Sequence, residues 1–95
     1  MTLRPDSALV HDVHAADNHE PRRGGAKPSI LLLHYTGMRS AVKAVAWLAT
    51  RESRVSCHYV IDEAGHTTQL VAESRRAWHA GQSFWAGETD INSAS

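Results

Sequence analysis

The stretch SILLLHYTG, residues 29–37, decides the fold that we expect for this chain. Ile30 to Leu33 form a continuous apolar run without polar alternation, with Pro28 before it and Gly37 after it. Such a short run indicates a strand that is buried on both faces, at the centre of a sheet covered by helices. The stretch therefore predicts an α/β fold in which His34 lies at the carboxyl end of a central strand.

A helix is predicted directly after this stretch, over residues 40–51. Its apolar residues follow the i, i+3, i+4, i+7 spacing of one helix face, and they are Ala41, Ala44, Val45 and Leu48. Ser40 is suited to cap the amino terminus of this helix, because its hydroxyl can accept a backbone N–H from the first turn.

A β-hairpin is predicted after the helix. Residues 55–62 alternate with a period of two, DEAGH contains Gly65 at a position suited to positive φ, and TTQLV supplies a second strand. We expect residues 72–77 to form a short helical or turn connection and residues 78–95 to be loop-like.

Composition excludes several classes of protein. The chain has 95 residues and no net charge, so we expect at most one domain and no nucleic-acid partner. No apolar run reaches the roughly 18 residues of a membrane span, and the amino terminus lacks the apolar segment of a secretory signal. We therefore expect a cytoplasmic protein, unless an exporter or cell lysis releases it to the periplasm or beyond. Residues 1–28 are polar and broken by proline and glycine, which predicts an irregular N-terminal arm with solvated arginines.

Histidine is frequent in the chain and cysteine is rare. Seven histidines accompany one cysteine, which excludes an internal disulfide and a zinc site built on a cysteine pair. This balance points to imidazole chemistry or to imidazole ligation of a metal. We expect His11, His14 and His19 to be surface residues.

Three residues are candidates for chemistry by position. His34 follows an apolar strand at the end where binding sites gather, so it is either a ligand or base, or a histidine bonded to a backbone carbonyl. His58 shares a strand face with Val60, and whether this face meets the core stays open. Cys57 is either a thiol nucleophile paired with a histidine or a small buried hydrophobe, and the second role is more frequent.

The segment RAWHAGQSFW, residues 76–85, has no clear helix or strand period. Trp78, Phe84 and Trp85 offer flat apolar faces, and His79 offers a donor and an acceptor between them. This combination suits the wall of a groove for a sugar or a peptide. The alternative is a loop that its own tryptophans pin to the core.

Three motifs in this order resemble one family: ILLLHYTG, RVSCHYVIDEAGHTTQLV, and RAWHAG followed by INSAS. They are similar to the zinc-dependent N-acetylmuramoyl-L-alanine amidases, which include recycling amidases, phage amidases and peptidoglycan recognition proteins. The resemblance covers residues 29–95. It implies a mixed central sheet flanked by helices, and Zn²⁺ held by two histidines and an Asp or Cys. It also implies cleavage of the amide between N-acetylmuramic acid and L-alanine, in peptidoglycan or muropeptides. Three ligands leave the fourth zinc position for an activated water.

The resemblance also implies roles for single residues. His34 matches the first zinc ligand, and Arg54 matches a basic residue that meets carboxylates of the stem peptide. The segment containing His58 matches the strand beside the zinc, and Cys57 stands where phage enzymes carry a catalytic tyrosine. Trp78 and His79 match the WHAG motif of the substrate groove, and Asn92 matches the asparagine before the next core strand. The expected substrate-binding residues are thus Arg54, His58, Trp78, His79 and Asn92.

The rest of the family's site is expected beyond Ser95: a catalytic glutamate and lysine, the second histidine and the third ligand. We therefore expect residues 29–95 to be the N-terminal part of a single amidase domain, completed by a C-terminal fragment or a second chain. One alternative is a module that binds muropeptide without a complete zinc site. Another is a hydrolase that uses Cys57 and a histidine, which thiol alkylation would inactivate and chelators would not.

Overall fold

The computed structural model describes residues 3–95. Five short strands, two α-helices and one 3₁₀ turn make up its regular structure: β1 Asp12–Val13, β2 His19–Pro21, the 3₁₀ turn Arg23–Gly25, α1 Ala41–Leu48, β3 Tyr59–Ile61, β4 Thr67–Gln69, β5 Arg75–Ala77 and α2 Ile91–Ala94. One sheet has the order β1-β4-β3, and β2 pairs with β5 in a second ribbon. Among residues 3–95, no helix has the length and apolar character needed to cross a membrane.

The predicted hairpin is confirmed by β3 and β4. They pair antiparallel, with Val60 opposite Thr68. Gly65 in the turn has φ 85°, the left-handed region that glycine enters without strain. The carboxylate of Asp62 accepts the backbone N–H groups of Ala64 and His66 at 2.9 and 2.8 Å. A local carboxylate and a glycine thus close the turn, which is why the sequence pattern predicts it well.

The predicted helix is confirmed as α1, which ends three residues before the expected boundary. Ser40 caps it as predicted, since its hydroxyl accepts the N–H of Lys43 at 3.3 Å. Ala44 is fully buried, and the same face of the helix packs on the core beside β3. The core is small, and its buried members are Ala16, Val60, Leu70, Val71 and Ala77.

Residues 3–28 of the N-terminal arm are more ordered than the sequence predicts, and the expectation of an irregular arm is corrected for them. β1 pairs in parallel with β4, and β2 pairs antiparallel with β5. Asn18 is buried, and its amide donates to the carbonyls of Thr50 and Val55 at 2.9 and 3.2 Å. The arm is ordered because its polar groups bond backbone atoms that the rest of the chain leaves unpaired.

The prediction of a central strand at residues 30–33 is wrong for the part of the chain that the structure describes. The segment is not part of either sheet, and the exposed fractions of Leu31 and Leu33 are 87% and 80%. Its only backbone hydrogen bonds to other described residues join the N–H groups of Ser29 and Ile30 to the carbonyl of Ala94. The apolar run is therefore a strand candidate without a neighbouring strand, and strand structure requires a neighbour.

Two predictions for the last third of the chain are also corrected. Residues 75–77 form β5 instead of a helical or turn connection, because the arm provides β2 as a partner. Residues 91–94 form α2 instead of a loop, and all four are buried. In both places contacts with the distant arm override a weak local pattern.

Candidate functional site

Three histidines from separate parts of the chain meet at one place. The Nε2 atom of His34 lies 3.1 Å from Nδ1 of His79, and the two rings meet edge to face. The ring of His58 lies edge-on to His79, with 6.0 Å between centroids. His34 and His79 thus form a hydrogen-bonded imidazole pair, and His58 lies beside it.

The hydroxyl of Ser95 gives a direction to the hydrogen bonds of this pair. Its Oγ donates its single proton to the carbonyl of Ile91 at 2.7 Å, so it can only accept from Nε2 of His79 at 3.0 Å. His79 then carries its proton on Nε2, and its Nδ1 accepts from Nε2–H of His34. We assign both tautomers from this network. Among residues 3–95, nothing bonds Nδ1 of His34, so this nitrogen keeps a free lone pair.

The imidazole of His79 is held neutral. Burial, followed by the charges of His34, His58, Arg22 and Arg76, lowers the pKa of His79 to about 4. Burial also lowers the pKa of His58, whose Nε2 lies 3.0 Å from the carbonyl of Arg75. Neutral imidazoles keep a lone pair, which both metal ligation and proton acceptance require.

Asn92 positions the loop that carries His79. Its side-chain carbonyl accepts the backbone N–H groups of His79 and Ala80 at 3.0 and 2.9 Å. Asn92 is 7% exposed. Its side chain therefore acts on the WHAG loop from within the protein and does not face the cleft.

A cleft of about 670 Å³ opens beside the histidines. Its lining includes the segments Ile30–Thr36 and Val55–Ile61, together with His79 and Ser95. A second hollow of about 440 Å³ is lined by His34, Phe84 and Trp85 among others. The side chains of Phe84 and Trp85 are mostly exposed.

The structure brings some of the predicted site residues together and leaves others apart. His34, His58 and His79 line the cleft. Arg54 is exposed, lies outside the cleft lining and has φ 57°, an uncommon value for a residue other than glycine. Trp78 is also absent from the cleft wall, and its indole Nε1 is buried without a partner in residues 3–95.

Cys57 behaves as a small hydrophobe. It packs against the core, and burial raises the pKa of its thiol to about 11. Its sulfur lies 3.5 Å from the carbonyl of Tyr59. A thiol that stays protonated at neutral pH is a poor nucleophile, so the geometry does not favour a cysteine hydrolase.

Two residues of the site were missed by sequence reasoning. Arg22 belongs to the arginines interpreted as solvated, yet it is 9% exposed and lies within 3.4 Å of His58. Ser95 is the last residue of the quoted INSAS stretch, but no role was expected for it. The sequence holds no signal for either, because a lone arginine or serine in a polar stretch is usually exposed.

A complete metal site is not formed by residues 3–95, since no three His, Cys, Asp or Glu side chains there are placed to hold one ion. His79 uses both ring nitrogens in hydrogen bonds, and His58 is bonded to a carbonyl. At the cleft, His34 and His58 each keep Nδ1 without a hydrogen-bond partner among residues 3–95.

The sequence matches a known family over most of its length. The family model for N-acetylmuramoyl-L-alanine amidase, Amidase_2, covers residues 24–95. The chain belongs to this amidase family. The predicted resemblance is confirmed, and the match begins inside the arm, before the first of the motifs quoted above.

Single relatives agree with this assignment. A protein of Rickettsia conorii named as an N-acetylmuramoyl-L-alanine amidase is 33% identical over 73 residues, which are 76% of this chain and 27% of the relative. The crystal structure of a selenomethionine derivative of AmpD superposes with a TM-score of 0.73 at 23% identity, over 92% of this chain and 57% of AmpD. The predicted fold class, a mixed sheet with helices, is therefore confirmed. The chain spans about a quarter of one relative and just over half of the other.

Proposed function

We propose that the protein carrying this chain hydrolyses the amide between N-acetylmuramic acid and L-alanine, in peptidoglycan or in muropeptides, with Zn²⁺ as cofactor. The observation that carries the proposal is the His34–His79–Ser95 hydrogen-bond chain at the end of an open cleft, in a member of this amidase family. Soluble muropeptides in the cytoplasm are the substrate and compartment that we favour.

His34 fits the first ligand of such a zinc ion. Its hydrogen bond to His79 occupies Nε2 and fixes the ring, which leaves Nδ1 as the ligating nitrogen. An imidazole whose other nitrogen is hydrogen-bonded is the usual form of a zinc ligand. Bound zinc would polarise the scissile carbonyl and acidify a water molecule. The other ligands, and the family's catalytic glutamate and lysine, would come from outside residues 3–95.

We further propose that residues 29–95 are the N-terminal part of one amidase domain, completed by a following segment or by a second chain. The cleft supports this, because Ile30–Leu33 and Val55–Ile61 both line a space that no described residue fills. The N–H groups of Ser29 and Ile30 already bond the carbonyl of Ala94, so chain leaving α2 would run beside this run. A strand inserted there would pair with both walls and cover the apolar residues.

The chain's own residues would then bind and orient the substrate. His79 is neutral and hydrogen-bonded through both ring nitrogens, so it holds the ring of His34 and takes up no second proton itself. Phe84 and Trp85 present apolar faces suited to the CH groups of a sugar. We propose that His58 meets the substrate in the cleft and that exposed Arg54 binds stem-peptide carboxylates. Trp78 and Asn92 would act by shaping the WHAG loop.

The test is His34→Ala in the complete protein, with exposed His14→Ala as the matched control. We expect His34→Ala to lose bound zinc and to lower amidase activity on a muropeptide by about 100-fold or more. The loss of a residue that only hydrogen-bonds a metal ligand costs about 10–100-fold, and the loss of the ligand itself should cost at least as much. His14→Ala should keep both. Full activity in His34→Ala would contradict the proposal.

A muropeptide-binding module is the second candidate, favoured because no three His, Cys, Asp or Glu side chains among residues 3–95 are placed to hold one metal ion. It predicts that the complete protein binds muropeptide, measured by calorimetry, without releasing a peptide. Product analysis by mass spectrometry on the same sample separates the two candidates.

A further inference from the structure

Arg22 is placed to control the imidazole pair from a distance. It follows β2 and directs its guanidinium into the protein, where Nε and Nη2 donate to the carbonyl of Glu73 at 3.0 and 2.8 Å. On the other side, Nη1 donates to the carbonyls of Ser93 and Ser95, both at 2.8 Å, and lies 3.3 Å from that of Asn92. One side chain thus joins two stretches of backbone through its planar array of donors.

The backbone that Arg22 holds is the carboxyl end of α2. Carbonyls at the carboxyl end of a helix have no partner within the helix. A cation there also interacts favourably with the negative end of the helix dipole. A helix of four residues has little stability of its own. The position of α2 therefore depends on contacts such as those of Arg22.

Two side chains of α2 and its end contact His79. Asn92 accepts the N–H groups of His79 and Ala80, and Ser95 accepts Nε2–H of the His79 ring. Arg22 bonds the backbone carbonyls of these same two residues, Asn92 and Ser95. Arg22 does not bond the His34–His79 pair itself, although its Nη2 lies 3.4 Å from Nε2 of His58 beside the pair. The hydrogen bonds that connect Arg22 to His79 pass through the end of α2.

We propose that Arg22 is a positioning residue of the amidase site. By clamping the end of α2 it holds Ser95 against His79, and this contact keeps the proton of His79 on Nε2 and the proton of His34 directed at Nδ1 of His79. The kinetic part of this inference rests on the proposed amidase function, whereas the tautomer part does not.

Arginine is required by this geometry. The donors Nε and Nη2 face Glu73 while Nη1 faces the end of α2. Lysine would keep the charge but has one compact ammonium in place of a rigid fork, so it cannot reproduce both sets of bonds. Arg22→Lys is therefore the sharp variant. Arg23→Ala is its matched control, because the neighbouring Arg23 side chain is 66% exposed and its ion pairs span 3.8 and 3.9 Å.

The experiment compares wild type, Arg22→Lys, Ser95→Ala and Arg23→Ala in the complete protein at neutral pH. Ring-nitrogen NMR of His79 reports its tautomer, and steady-state kinetics on a muropeptide reports kcat and KM. We expect wild type and Arg23→Ala to show one His79 tautomer, protonated on Nε2. Arg22→Lys and Ser95→Ala should show averaged tautomers, and Arg22→Lys should lower kcat by about 10–100-fold with little change in KM.

A folded Arg22→Lys protein with the wild-type His79 tautomer and unchanged kcat would overturn the inference and leave Arg22 a stabilising residue only. An unchanged tautomer in Ser95→Ala would overturn it as well, since the effect must pass through that hydroxyl. If wild type has no amidase activity, the proposed function fails, and the NMR comparison still decides the role of Arg22.

Discussion

The segment Ile30–Leu33 and residues 6–22 of the N-terminal arm behave in opposite ways. The segment is the most apolar run of the chain, and it lies exposed and outside both sheets. The arm is polar, yet it forms two strands and buries Asn18 and Arg22. The difference shows that available backbone partners, more than side-chain polarity, decide which segments become ordered here.

The largest expected effect comes from comparing a leucine of the core with a leucine of the exposed segment. Leu70 is 1% exposed and Leu31 is 87% exposed. In the 95-residue chain, Leu70→Ala should lower the free energy of unfolding by about 3 kcal/mol, through lost burial and a cavity. Leu31→Ala should change it by less than about 0.5 kcal/mol. Urea denaturation measures both, and equal losses would contradict the exposed placement of the segment.

The same leucine sharpens the proposed completion of the domain. In the complete protein, a strand in the cleft would cover Leu31, so Leu31→Ala should there cost about 2 kcal/mol or more. A loss that stays below about 0.5 kcal/mol would show that nothing packs on this run.

The second effect tests the ordered arm. Asn18→Ala removes the amide that bonds the carbonyls of Thr50 and Val55 and leaves them without this partner. We expect a loss of about 2 kcal/mol in the free energy of unfolding, the typical result for a buried hydrogen-bonding group. The neighbouring Asp17→Ala is the control, since its pair with Arg51 is exposed and spans 3.9 Å. A loss of similar size in the control would contradict this explanation.

A pH effect follows from His19 in β2. Burial, then the charge of Arg75, lowers the pKa of His19, while Asp17 opposes the shift. Its Nδ1 accepts from Nε of Arg75 at 3.0 Å, which requires the neutral ring. Because the unfolded chain binds the proton more readily, this stabilisation is complete above pH about 6.5 and is lost as pH falls below it.

Unfolding free energies of wild type and His19→Gln between pH 7 and 5 measure this effect. Stability should fall more steeply in wild type, because the variant lacks the titrating ring. Parallel curves would show that His19 does not couple the arm to pH.

The smallest effect concerns β1. Nε2 of His66 lies 2.7 Å from Oδ2 of Asp12, and both side chains are about half exposed or more. Asp12→Asn should therefore cost less than about 0.5 kcal/mol, and the loss should shrink in 0.5 M salt. A larger or salt-independent loss would mean that this pair holds the arm through more than charge.

The sequence alone predicted the local elements. The helix with its Ser40 cap and the hairpin with Gly65 were predictable because each depends on residues within a few positions. The family resemblance also followed from sequence, because three motifs keep their order. The buried central strand, in contrast, was predicted from an apolar run whose neighbouring strand is not among residues 3–95.

The site divides in the same way. Sequence by itself determined that histidines matter and that His34 and the WHAG motif belong to one site. Only the tertiary structure decided that His34 bonds His79, that Ser95 sets the direction of that bond, and that Arg22 lies beneath it. The physical reason is that a local motif depends on neighbouring residues, whereas the contacts of Arg22 join residues 36 to 73 positions apart. The position of Ser95 depends in turn on α2, a four-residue helix that these distant contacts stabilise.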